Sequence, residues 1–128
     1  MSSSPCPCGS GRTYVACCGR WHAGASHLAA PDAEALMRSR YSAYVLALSD
    51  YLRATWAPET CPADLPPDPP GLRWLGLEVR RHVVLDATHA TVEFVARSKL
   101  GGRAQRLHET SRFERRDGRW LYVDGDVH

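Results

Sequence analysis

The chain has 128 residues, room for one ordinary domain and a small appendage but not for two full domains. Its 44% hydrophobic and 23% charged residues describe a folding globular chain, with neither an apolar run of about 18 residues nor a basic start followed by an apolar stretch. A formal net charge of +2 argues against direct, specific nucleic-acid binding, and the expectation is a soluble cytoplasmic protein without membrane contact, its oligomeric state unspecified.

Residues 1–30 form the first unit. They are rich in Cys, Gly, Ser and Ala, have little apolar periodicity, and need a staple in place of a core. Four of the five cysteines, Cys6, Cys8, Cys17 and Cys18, fall within thirteen residues. In a reducing compartment such a cluster favours a metal over disulfides, and both a C-x-C ring and a vicinal ring would be strained. A redox pair would use C-x-x-C, which is absent. Four thiolates around one ion make a closed, structural zinc site with no open position for water. Gly9 and Gly11 supply a tight turn, the amides of Gly9 to Arg12 can donate to sulfur, and Arg12 and Arg20 can offset charge. The residues alone leave His22 as a rival to Cys18 for the fourth position. Loss of the ion is expected to loosen this segment and spare the sheet.

Residues 31–128 form the second unit. After Pro31 and Asp32 as start signals, Ala33, Leu36, Met37, Tyr41, Tyr44, Val45 and Leu48 recur at helical spacing. Ser49 and Asp50 are read as the cap of a short helix from Tyr51 to Trp56. "APETCPADLPPDPPG" then stops helix and strand alike. From Leu72 the pattern alternates, with strands expected near Arg73–Asp86, Ala90–Lys99, Arg103–Arg116 and Arg119–Asp124 around turns at Asp86–His89, Gly101-Gly102 and Asp117-Gly118. Leu75, Leu77 and Val79, then Val92, Phe94 and Ala96, then Leu107 and Phe113, then Leu121 and Val123 share one face of an antiparallel meander. The fold class is α+β, helices on one curved sheet.

"CPCGSGRTYVACC" resembles the SEC-C motif, the zinc-binding tail of the SecA translocation ATPase, whose pattern C-x-C-G-S-G-x-x-Y-x-x-C followed by Cys or His is matched at Cys6, Cys8, Gly9, Ser10, Gly11, Tyr14, Cys17 and Cys18. That match places Cys18 as the fourth ligand. "APDAEALMRSRYSAYV", "YLRATW" and "ETSRFERRDGRWLYVDG" resemble the YchJ-like family, in which this motif precedes a domain of nuclear transport factor 2-like fold. The resemblance implies a cone, a bent sheet wrapped on a helix, and a structural Zn²⁺, but no reaction. In SecA the similar tail contacts protein partners and ribosomes, so a protein or ribonucleoprotein partner is the expectation that follows.

A cone leaves room for a cavity. Glu109 and Ser111 interrupt the apolar face between Leu107 and Phe113, and a carboxylate there is costly unless paired. Arg40 falls about 60° from Met37 around the helix, at the edge of the core-facing stripe. Arg40 and Glu109 are therefore expected to meet, near Tyr41 or Tyr44 and Trp74 or Trp120, as a structural ion pair or as a ligand-binding or catalytic pair. His108 and Arg112 share the opposite, solvated face. Cys61 reads as a free thiol, and no phosphate loop, nucleophile elbow or dinucleotide fingerprint is present. The chemistry read from the residues favours a non-enzymatic, zinc-binding interaction protein over an enzyme.

Overall fold

A computed structural model describes residues 4–66 and 68–128. Its helices are the single turn α1 (Gly19–His22), α2 (Ala33–Val45) and α3 (Ser49–Ala54), and its strands are β1 (Arg73–Val84), β2 (His89–Leu100), β3 (Arg103–Arg116) and β4 (Arg119–Val127). α2 starts where its cap dictates: the Asp32 carboxylate accepts the Ala35 amide at 2.7 Å, and Glu34 adds negative charge in the first turn. It buries Ala33, Leu36, Met37, Arg40 and Tyr41. The helix ends at Val45, before Leu48, because Ala47 turns into the left-handed region at φ 59° and the Leu48 amide returns to the Ala43 carbonyl at 2.8 Å. The next helix begins at Ser49 with Leu48 in the cap position, so Ser49 and Asp50 lie inside it.

The four strands form an antiparallel meander in the order β1-β2-β3-β4. Its concave face carries Leu77 and Val79 opposite Ala96 and Phe94, and Val92 and Ala90 opposite Ser111 and Phe113. The register of the sheet overturns parts of the simple alternation. In β1 a register shift between Trp74 and Gly76 leaves Leu75 exposed and lets Trp74 pack against the core. In β4 the two-residue turn at Asp117-Gly118 pairs Arg116 with Arg119 and hence Phe113 with Tyr122, so Trp120 and Tyr122 join the core, not the expected Leu121 and Val123; a shift past Phe113 then pairs Arg112 with Asp124 and Ser111 with Gly125. The edge of β4 is covered by Thr55–Ala57: the Tyr122 amide donates to the Thr55 carbonyl and the Ala57 amide to the Tyr122 carbonyl, each at 2.8 Å.

The core is continuous across the two units. Cys6, Cys8, Cys17 and Cys18 belong to the same buried cluster as Leu36, Met37, Tyr41, Val92, Phe94 and Phe113. The N-terminal segment lies against α2 and the first strand as part of that cluster.

Candidate metal centre and cavity

The cysteine segment folds as a tiny hairpin. Pro5 bridges Thr13, the Tyr14 amide donates to the Ser4 carbonyl at 2.8 Å, and the Cys6 amide to the Arg12 carbonyl at 2.9 Å. Its tip needs glycine: Gly9 has φ 76°, and a Cβ there would sit 3.6 Å from the Leu77 carbonyl of β1. A short 3₁₀ turn, Tyr14–Ala16, then carries the chain into Cys17 and Cys18 at the start of α1.

This brings four thiols together. Their sulfurs all lie within 4.8 Å of one another, Cys8 to Cys17 at 3.6 Å and Cys17 to Cys18 at 4.0 Å, and all four residues are buried and unbridged. A tetrahedral ion with metal–sulfur bonds of about 2.3 Å needs sulfur–sulfur edges of about 3.8 Å, so a small contraction completes the cage. The donor chemistry fits too. A hydrogen bond from the Cys18 thiol holds the Cys8 thiol down at about 4, and Cys18, the proton donor of that bond and itself buried, is pushed up. Burial likewise raises Cys17. Cys8 thus readily becomes a thiolate, while Cys17 and Cys18 hold their protons until a cation joins them.

The surroundings differ from expectation in detail. The Ser10 hydroxyl lies 3.2 Å from the Cys17 sulfur and the Ser10 amide donates to Cys8, whereas the Gly9 amide goes to the Cys6 carbonyl and the Arg12 amide to the Ser10 hydroxyl. Arg12 is exposed; Arg20 donates to the Cys17 carbonyl at 3.0 Å. Arg38 of α2 reaches the Cys8 carbonyl at 3.0 Å, a cage neighbour that sequence reading missed because thirty positions separate the two. Ser42 of the same helix lies 3.5 Å from the Cys6 sulfur.

His22 is not placed as a ligand. Its Nε2 donates to the Ser39 carbonyl at 2.8 Å and its Nδ1 accepts from the Tyr14 hydroxyl at 2.6 Å, so both ring nitrogens are engaged away from the sulfurs. Burial pushes its pKa down, in keeping with a neutral ring. Among the described residues the four cysteines are the only grouping of three or more His, Cys, Asp or Glu side chains close enough to share an ion.

On the other side of α2 the cone holds a half-open cavity of about 440 Å³. Arg40, Tyr41, Tyr44, Trp74, Glu109 and Ser111 all line it; Trp120 does not and lies in the core, its place taken by Trp56 and Tyr122. The expected pair is not made, since among the described residues no ion pair joins Arg40 to Glu109. Arg40, 6% exposed, donates through Nη1 to the Leu52 carbonyl and the Thr55 hydroxyl, both at 2.8 Å. Its guanidinium lies 4.8 Å from the ring centres of both Trp56 and Tyr122. Glu109 accepts from the Ser111 hydroxyl at 2.5 Å and the Tyr122 hydroxyl at 3.1 Å, both on Oε2. Tyr122 thus stands between the two charges, its hydroxyl pushed up by burial and by the Glu109 carboxylate. Tyr122 faces inward because the two-residue turn at Asp117-Gly118 pairs it with Phe113, a register that alternation along β4 alone does not set.

Comparison with known proteins adds the lineage. Residues 32–125 match the model of the YchJ middle domain, nuclear transport factor 2-like, and residues 3–20 match the SEC-C motif. A UPF0225 protein of Bordetella parapertussis is 59% identical over 98% of this chain and 95% of its own. One from Ralstonia nicotianae is 60% identical over 98% and 92%. Among solved structures, a SEC-C motif containing protein from Rhodopseudomonas palustris superposes with a TM-score of 0.81 at 38% identity, covering 96% of this chain and 98% of that one. Another from Psychrobacter arcticus gives 0.77 at 29% identity, covering 99% and 84%.

Proposed function

The chain belongs to the YchJ-like family, with a SEC-C motif ahead of its nuclear transport factor 2-like domain, and on that footing we propose that it is a zinc-stapled, non-enzymatic binding protein of the cytoplasm that engages a protein or ribonucleoprotein partner. The observation that carries the reading is the cage itself, four buried sulfurs within 4.8 Å of one another. An all-thiolate tetrahedral set selects zinc among the common divalent ions, and four protein ligands leave no position for a reacting water. Zinc supplies folding free energy here, and the residues around it hold the cage closed.

The outer face of the sheet supports a partner with an acidic surface. At the β2–β3 turn Arg73 stands opposite Lys99, and Arg97 opposite Arg106. Like charges directly across a strand pair repel. Glu78, 3.7 Å from Arg97, is the one carboxylate among the described residues that pairs with any of these four side chains. An acidic protein face or a ribonucleoprotein phosphate array would relieve that repulsion.

The test has two parts. Protein purified without added metal should hold one zinc per chain, with Cys61 alone reactive to a thiol reagent until chelation exposes all five cysteines. Metal-free protein with the four cage thiols freely reactive would sink the zinc reading. The partner reading predicts salt-sensitive co-sedimentation with ribosomes or acidic ribosome-associated proteins, lost in an Arg97→Glu/Arg106→Glu variant that keeps its zinc; binding unchanged in that variant would move the contact elsewhere.

A further inference from the structure

We propose that the cavity beneath α2 binds a small organic acid with a flat apolar body and an amine or other hydrogen-bond donor at its far end, the acid group seated on Arg40 and the donor on Glu109. The proposal concerns the cone and is independent of the zinc reading.

Arg40 is the starting point. A charged side chain that is nine-tenths buried is normally matched by an opposite charge, because desolvation is costly and only a close, hydrogen-bonded counterion offsets it. Arg40 is 6% exposed, and no carboxylate lies within ion-pair distance among the described residues. Its two bonds, to the Leu52 carbonyl and the Thr55 hydroxyl, both use Nη1; Nε and Nη2 have no acceptor among the described residues. The rings of Trp56 and Tyr122 flank the guanidinium at 4.8 Å and fix its plane without neutralising it. Arg40 also lines the cavity. The wall therefore holds an oriented cation that lacks an anion, and a planar carboxylate is the group a guanidinium fork binds best.

Glu109 sets the other end. Oε2 is fully used by Ser111 and Tyr122, while Oε1 has no donor among the described residues and the side chain lines the same cavity. The two ends are separated by the Tyr122 side chain, whose ring faces Arg40 and whose hydroxyl meets Glu109. Tyr41 and Tyr44, their ring centres 5.6 and 6.0 Å from that of Trp74, line the same cavity with Phe94. A pocket of about 440 Å³ with that lining takes a flat molecule of one ring or slightly more. Asp68, held by the Trp74 indole N–H at 3.0 Å, and the exposed Arg106 also line the cavity, so it carries both signs of charge and neither a plain anion nor a plain cation suits it. A molecule carrying both groups satisfies both walls.

The probe is 4-(aminomethyl)benzoate, titrated into the zinc-loaded full chain while the indole N–H resonances of Trp56 and Trp74 are followed by NMR. 4-Methylbenzoate lacks the donor and benzylamine lacks the anion. The proposal expects saturable shifts of both indoles, with the probe binding about tenfold tighter than either control. Glu109→Gln should remove the advantage of the probe over 4-methylbenzoate and leave 4-methylbenzoate bound at least as well. Arg40→Lys should weaken both acids about tenfold or more, because ammonium lacks the fork. Three results would overturn it: indole shifts that do not saturate with any of the compounds, benzylamine binding as well as the probe, or a probe advantage that survives Glu109→Gln. If Arg40→Lys fails to fold, the Glu109→Gln comparison decides alone.

Discussion

The two faces of α2 solve the problem of burying polar atoms in opposite ways. Toward the N-terminal hairpin, Ser42 approaches the Cys6 sulfur and Arg38 caps the Cys8 carbonyl, so the helix closes a cage whose four thiols face one another. Toward the cone, Arg40 leaves the same helix into a cavity where rings surround its charge but no carboxylate reaches it. Polar groups that converge on a point define their own ligand, whereas polar groups spread along a wall leave the ligand to come from outside. The first site is legible from spacing up to its fourth place, where His22 rivals Cys18; the second needs the sheet's real register.

The sharpest way to break the comparison is to open the cage. Because the thiols sit in one buried cluster with Leu36, Met37 and Phe94, removing a ligand should be felt beyond the first thirty residues. Cys18→Ala is expected to abolish stoichiometric zinc and to cost several kcal/mol, on the order of the apparent binding free energy that structural zinc lends small folds. Hydrogen exchange should show α2 losing protection together with the hairpin while the β2–β3 pairing keeps most of its own. Protection lost only before residue 30 would mean that the hairpin is an appendage after all, as its composition suggests.

A second, smaller effect separates packing from ligation. At Gly19, which starts α1 just after Cys18, a Cβ would lie 2.8 Å from the Tyr14 carbonyl and 3.0 Å from its ring. The obstacle is backbone and cannot rotate away, so Gly19→Ala should cost about 1–3 kcal/mol. Zinc stoichiometry should stay at one while the thermal midpoint falls; an unchanged midpoint would show that the 3₁₀ turn yields freely.

What the residues disclosed follows the same division. The cysteine cluster was legible because four thiols at this spacing would form strained disulfides and fit one ion better. Strand existence was legible for a similar reason: β3 occupies Arg103–Arg116 as its alternation suggests, and Gly101-Gly102 and Asp117-Gly118 turn as read. What alternation did not disclose was register. One residue slipped at Leu75 turned Trp74 inward; in β4 the hairpin register paired Phe113 with Tyr122 and put Tyr122 between Arg40 and Glu109. β4 also runs on to Val127, past the expected end at Asp124, because Gly125 lets the strand pass the Glu109 carboxylate, which any Cβ at that position would strike.

His22 offers the finest test, since it joins the two regions without belonging to either site. Nε2–H to the Ser39 carbonyl and Nδ1 to the Tyr14 hydroxyl suit one neutral tautomer, and burial sets the folded pKa below the unfolded value of about 6.5. Below that value the unfolded chain binds more protons than the native one. Stability from this group is therefore complete above pH of about 6.5 and declines as pH falls from there to the folded pKa. Zinc loss would add its own acid slope, so unfolding is followed with metal content monitored, and His22→Gln, which keeps an acceptor and a donor but cannot titrate, should flatten the curve in that window by a small amount. A slope identical in both proteins would mean that the ring opens to solvent before it protonates, uncoupling the tie between α1 and α2 from the fold.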